Sequence, residues 1–275
     1  MKYKIVVDSS SNLRNDYIKD DKVGFEVVPL IVRVDDKEYV DNEDFSVDEM
    51  LTKLKDSTSS SSSCPSPGKY AEAYKGAENV FVITVSAKLS GSFNAAFVAS
   101  LEYEDSHIHL IDSKAAGGLL QLIVDRTYEL IKKGLNVKEI EDEIDKYVES
   151  VNLLFILDRF DNLVRAGRMS KIAAFVAQSL SIKPICIASK GEIKIHKRTR
   201  TMKMAIKQTV QEIKNVVQSD PSERVCIITS VQHDPTAEKL KTLIENNINF
   251  KEVRIVDATI LCSYYALQGS LLIAF

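Results

Sequence analysis

The chain has 275 residues, a formal net charge of −3, and four cysteines spread across it at positions 64, 186, 226 and 262. The slight acidity argues against a dedicated nucleic-acid binder, which carries an excess of base, and no apolar run approaches the roughly 20 residues that span a bilayer. Dispersed cysteines without a CxxC pair, and histidines without HExxH or similar spacing, argue against a zinc site or a disulfide scaffold; no metal and no cofactor are expected.

In chain order, MKYKIVVDSS reads as a first strand and not as a signal peptide, which predicts a cytoplasmic protein. EVVPLIVRVDDKEYVDN carries strand-like runs around a DDK turn, and VDEMLTKLK has helical spacing. A serine run then ends in Cys64-Pro65-Ser66-Pro67-Gly68, and two prolines stiffen what would otherwise be a flexible spacer. NVFVITVSAKLSGSFNAAFVASL and HIHLIDSKAAGGLLQLIVDRTYELIKKG each give strand, serine-containing turn, helix, and the helix beyond Gly134 is polar-faced. This alternation predicts a mainly parallel sheet with helices on its faces.

From about residue 151 the pattern changes to a strand, a short helix stopping at Gly167, the apolar helix KIAAFVAQSLSI, and a hairpin turning at Lys190-Gly191. A long helix and a further α/β unit complete the chain. The expected architecture is two packed α/β domains, 1–150 and 151–275, the first with a mainly parallel sheet, and a ligand cleft between them. No typical linker marks the boundary, so close packing is expected.

Three apolar strands end in hydroxyl-bearing turns expected to run into helices: VVDSSSN, ITVSAKLSGS and LIDSKAAGG. In a parallel sheet such turns gather at the carboxyl ends of the strands, where ligands bind, and helix N-termini there favour an anion. Ser90-Gly91-Ser92 combines a rotating donor with close backbone approach. Plain helix capping competes with this reading at each turn taken singly. There is no GxGxxG, no GxxxxGK[ST] and no GxSxG, and no histidine stands near the serine turns to activate a nucleophile. The site looks able to hold an anion and poorly equipped to transform it.

These stretches, in this order, resemble the DegV family of bacterial fatty-acid-binding proteins. The matching segments are VVDSSSNL, SSCPSPGKY, SAKLSGSFNAA, IDSKAAGG, LDRFDNLVRAGRMS, IKPI and the segment ending at Thr201. The resemblance implies one long-chain fatty acid clasped between two domains, with no catalysis by the protein itself. In some members it also implies a fatty acid kinase as partner. It places the lipid carboxylate near Ser62, the first hydroxyl of the Ser-Ser-Cys-Pro-Ser-Pro turn, near Ser90 with Gly91, and near Arg168 of Gly-Arg-Met-Ser. A guanidinium suits that role because it is always charged and can pair bidentately; a cation closing a helix beside Gly167 is the plainer alternative.

The chain departs from the family at its end, where LCSYYALQGSLLIAF replaces a His-x-Gly-Pro-Gly motif. Aligning Gly269 with the last glycine of that motif puts Tyr265 where the histidine would stand, a neutral hydrogen-bonding group in place of a titratable ring. Phe175, Leu180 and Ile182 are candidates for lining an acyl slot, although an apolar helix face is more often core. Alternation predicts Lys194, His196, Arg198 and Arg200 on one strand face, either a solvated edge or, with Arg198 and Arg200 foremost, a docking patch for a partner or transiently for a membrane surface. Two rival readings stay open: a serine-dependent hydrolase or transferase using Ser62 or Ser90, and a protein-interaction module whose slot is only core.

Overall fold

The computed structural model describes residues 1–103, 107–169, 182–217 and 220–275. Its first sheet is wholly parallel, in the order β2-β1-β6-β7, built from β1 (Tyr3–Asp8), β2 (Val23–Val28), β6 (Asn79–Thr84) and β7 (His107–Asp112). Both faces of β1 are covered at its centre, which is why Ile5, Val6 and Val7 run apolar without alternation. Val6 packs with Tyr70, Tyr74, Ala96 and Ala99 of helices α2 (Pro67–Tyr74) and α3 (Ser92–Leu101), while Ile5 and Val7 face the main core.

A second, smaller sheet joins β3 (Ile31–Val34), β4 (Lys37–Val40) and β5 (Ser60–Ser63), all antiparallel, in the order β4-β3-β5. Helix α1 (Val47–Lys55) connects β4 to β5. The serine run is therefore a strand and not a spacer. Ser60 to Ser63 pair with Val34 to Ile31, and the alternation of strand geometry turns Ser60 and Ser62 to one side.

The third sheet is mixed, with order β10-β9-β8-β13-β11-β12: β8 (Leu153–Ile156), β9 (Lys183–Ser189), β10 (Glu192–Thr199), β11 (Val225–Ser230), β12 (Glu252–Asp257) and β13 (Leu271–Ala274). Only β11 and β12 run parallel; the chain's last strand lies antiparallel between β8 and β11. The β9–β10 hairpin turns at Lys190 and Gly191, both with positive φ (51° and 81°). Helices α7 (Met202–Val216) and α8 (Thr236–Glu245) cover the outer face through Ile206, Val210, Ile213, Leu240 and Ile244.

Between the first and third sheets lies helix α4 (Gly118–Lys132), with α5 (Val137–Ser150) beside it. Helix α4 packs on β1 and β6 on one side and on β11 and β13 on the other. Its first residue must be glycine, because a Cβ there would stand 2.7 Å from Ile227 Cγ2. One core, holding Leu120 and Ile123 together with Phe155, Ile227 and Leu272, runs through both units. This sharing explains the absence of a linker-like boundary.

One expected helix is absent. After β1 the chain makes a single 3-10 turn, Ser9–Ser11, and reaches β2 without an α-helix. The local side chains account for this. Asp8 accepts from Ser10 N and Oγ, Ser11 Oγ accepts from Leu13 N, Ser9 Oγ accepts from Leu30 N, and Asn12 closes the turn at φ 62°. Short polar side chains that bond neighbouring backbone offer an alternative to helix, and here that alternative prevails.

Candidate ligand site between the two units

A cavity of about 310 Å³ opens where the turns after β1, β6 and β7 meet β5, the third sheet and helix α9 (Ile260–Ala266). That volume lies at the small end of ligand pockets. Both halves of the chain line it. Ser62, Ser90, Gly91, Arg168 and Tyr265, singled out in the sequence for the head group, all border this one cavity. Ser62 Oγ and Tyr265 Oη are 2.7 Å apart. Two hydroxyls carry two hydrogens, and one is used between them, so the pair retains a donor for an anion.

Each of these positions has a local cause. Ser62 is held by pairing with Val32 of β3, and the neighbouring inward serine, Ser60, meets Tyr264 Oη at 3.1 Å and Arg165 Nη1 at 3.2 Å. Tyr264 and Tyr265 pack edge to face, with ring centroids 4.8 Å apart. Ser90 Oγ accepts from Ser92 N at the start of α3 and keeps its own hydrogen to donate. A side chain at Gly91 would bring its Cβ to 3.0 Å from Cys64 Sγ, so the close approach of the two turns favours glycine.

Arg168 follows the short helix α6 (Asp161–Arg165) and Gly167, whose φ of 76° stops the helix. Its Nε donates to the Leu89 carbonyl at 3.0 Å and its Nη1 to that of Ala166. Those bonds aim the guanidinium across the inter-unit boundary and fasten the turn that bears Ser90. Carbonyls do not neutralise it, and among the described residues it meets no carboxylate. Arg168 thus both closes α6 and bonds the turn that bears Ser90.

Beneath the turns lies Asp8, which is fully buried. Its two oxygens accept from Val85 N at 2.7 Å, Ser92 Oγ at 2.8 Å, and Ser10 N and Oγ, and Ser92 in turn meets Tyr70 Oη at 2.6 Å. Burial pushes the Asp8 carboxyl above its ordinary range, against these donors. The network ties the turns after β1 and β6 together, and Ser10 carries it to the cavity wall.

The rest of the lining is mainly apolar: Leu30, Val85, Leu153, Phe155, Leu157 and Leu272 among others. Leu153, Phe155 and Leu157 come from alternate positions of one strand and its extension, a spacing that could have revealed them. Cys64, Cys262 and Glu192 also border the cavity, and no local pattern marks them as lining.

The proposed acyl-slot residues fare differently. Phe175 and Leu180 lie outside the described residues. Ile182 does not border the cavity. It precedes β9, six residues and so about 20 Å along the strand from Ala188, where β9 reaches the cavity.

The basic strand does not present one face. The β9–β10 register shifts between Ile195 and Lys197, so His196 and Lys197 both turn toward Glu212 of α7, at 2.7 and 3.8 Å. Beyond this bulge the phase inverts. Lys194 pairs with Ile187 and Arg198 with Pro184, which puts them on opposite faces; Arg198 and Arg200 are both exposed. None of the four histidines borders the cavity: His107 and His109 face Glu141, His196 faces Glu212 and His233 faces Asp257.

Fold and cavity together define a two-unit α/β protein with an internal apolar site capped by hydroxyls and a guanidinium. A sequence model of the DegV family, described as uncharacterised proteins, matches residues 2–275, and the chain belongs to that family. A DegV domain-containing protein of Streptococcus gordonii is 34% identical over 283 residues, covering 100% of this chain and 99% of that protein. Among solved structures, the Streptococcus pneumoniae fatty acid kinase (Fak) B3 protein loaded with linoleic acid is similar, with TM-score 0.92, 32% identity and coverage of 100% and 99%. A DegV family protein of Ruminococcus gnavus refined with vaccenic acid is likewise similar, with TM-score 0.93, 30% identity and the same coverage.

Proposed function

We propose that this protein binds one long-chain fatty acid in the cavity between its two units and presents it to a fatty acid kinase. The carboxylate meets Ser62, Ser90, the Gly91 turn, Arg168 and Tyr265, and the acyl chain lies among the apolar residues. The observation that carries this reading is the cavity itself. One internal, mainly apolar space has on its wall the hydroxyls of Ser62, Ser90 and Tyr265 and a guanidinium that meets no carboxylate among the described residues, in a chain whose similar structures hold fatty acids. The kinase partner rests on the likeness to the Fak B3 protein. We divide the chain near residue 150, since every strand of the third sheet follows residue 152. We also place it in the cytoplasm: no helix among the described residues is long and apolar enough to cross a membrane, and its four cysteines are free thiols, as a reducing compartment keeps them.

The protein acts by binding and not by catalysis. Ser62 and Ser90 are the candidate nucleophiles, and their described partners are the Tyr265 hydroxyl and the Ser92 N–H, neither of which is a base. Thermal melting with palmitate or oleate is the test. A ligand that binds only the folded state raises Tm as its concentration rises. An unchanged Tm with both lipids contradicts the reading.

Tyr265→Phe removes one neutral hydrogen bond and is expected to weaken fatty-acid affinity by roughly 0.5–1.5 kcal/mol. With no histidine at the cavity wall, affinity is expected to vary little between about pH 6 and 8. A titration centred near pH 6.5 would show that an imidazole reaches the head group.

Replacing Arg198 and Arg200 together by alanine is expected to leave lipid affinity unchanged and to weaken capture by the kinase, with the difference fading at high salt. Equal capture by both proteins would reduce this edge to a solvated strand that resists aggregation.

A further inference from the structure

Helix α9 carries Leu261, Cys262, Tyr265 and Ala266 to the cavity, yet no side chain of its own N-cap residue, Thr259, bonds the first turn. The free N–H groups are met from the other unit. Asp41 accepts from Ile260 N at 2.9 Å, from Leu261 N at 3.2 Å and from Thr259 Oγ1 at 3.0 Å, and Asn12 Oδ1 accepts from Thr259 N at 3.0 Å. Asp41 is 1% exposed, and the guanidinium of Arg14 stands 3.8 Å from it.

Asp41 directly follows β4, and its N–H donates to the Leu30 carbonyl just before β3. β3 pairs with β4 on one side and with β5 on the other. The small sheet therefore holds Asp41 at one edge and Ser62 at the opposite one. Helix α9 closes the circuit: Asp41 grips its N-terminus, and five residues on, about 7.5 Å along the axis, Tyr265 returns to Ser62. A shift of the helix N-terminus would carry the Tyr265 hydroxyl with it and strain the 2.7 Å pair with Ser62.

We propose that Asp41 is a positioning residue for the head-group end of the cavity, fixing helix α9 from across the inter-unit boundary and thereby setting where the Tyr265 hydroxyl meets Ser62. This rests on the reading of Tyr265 as a head-group contact. Asp41→Asn preserves shape but turns an amide N–H toward donors at the helix start. Ordinary capping predicts lost stability alone; positioning predicts lost affinity that passes through Tyr265.

The test is a double-mutant cycle on oleate affinity, measured on full-length protein below the melting transition of every variant. Asp41→Asn is expected to weaken binding by about three- to ten-fold in the wild type and by less than about two-fold in the Tyr265→Phe background. Equal losses in both backgrounds, or no loss in either, overturn the proposal. If Tyr265→Phe alone leaves affinity unchanged, the head-group reading of that hydroxyl fails and the proposal with it; retained oleate binding would leave the lipid-binding function standing. Should Asp41→Asn not yield folded protein, Thr259→Val carries the same cycle, since it removes the hydroxyl that Asp41 holds and leaves the carboxylate in place.

Discussion

Arg168→Ala is expected to weaken fatty-acid binding by about ten- to a hundred-fold, the largest loss of affinity from any single change at the cavity. A hydrogen bond to a charged group contributes about 1.5–3 kcal/mol, against roughly 0.5–1.5 for a neutral one, so the loss should exceed that of Tyr265→Phe. Two effects combine in this variant. The cation is lost from the carboxylate, and the Leu89 carbonyl loses the Nε donor that fastens the Ser90 turn. Arg168→Lys separates them, because it keeps a charge and loses the planar fork. An intermediate affinity for lysine is expected, and oleate titrations of the three proteins measure it. Wild-type affinity in Arg168→Ala would remove the guanidinium from the head group.

Asp8→Ala is expected to destabilise the fold by about 2–4 kcal/mol, because buried donors at Val85, Ser92 and Ser10 lose their acceptor. The size of the loss should depend on pH with a defined sign. Burial raises the folded-state pKa of Asp8 above its ordinary 3.8, so the folded state holds that proton more tightly than the unfolded chain does. The stability linked to that proton is fully present below the unfolded value and is lost as pH rises through the folded one. Asp8→Ala should therefore cost most below about pH 4 and less once Asp8 is ionised in both states. Urea unfolding of both proteins across this range measures the difference. A cost that grows steadily with pH would show that the donors outweigh burial and lower the pKa.

The parallel first sheet and the turn at Lys190-Gly191 were legible because apolar periodicity and a lysine-glycine pair report directly on backbone geometry. The convergence of Ser62, Ser90, Gly91, Arg168 and Tyr265 on one cavity was legible only through ordered motifs, since nothing local in a serine or an arginine states what it will face. The strand in the serine run is not legible from composition, for a physical reason. Serine has little intrinsic strand preference. Val32 and Val34 of β3 on one side and the hydroxyls of Tyr264 and Tyr265 on the other make a strand of it, and all four are distant in sequence. The bulge at His196 was hidden because alternation looks the same until the register slips. Nothing in the acidic stretch VDNED singles out Asp41, whose buried partners at the start of helix α9 are more than 200 residues away in sequence.

Native mass spectrometry of the freshly purified protein, without added lipid, tests the central claim most directly. The account predicts a species heavier than the 30.7 kDa chain by the mass of one long-chain fatty acid, released on denaturation and much diminished in Arg168→Ala. A bare chain that also fails to take up oleate or palmitate would contradict it.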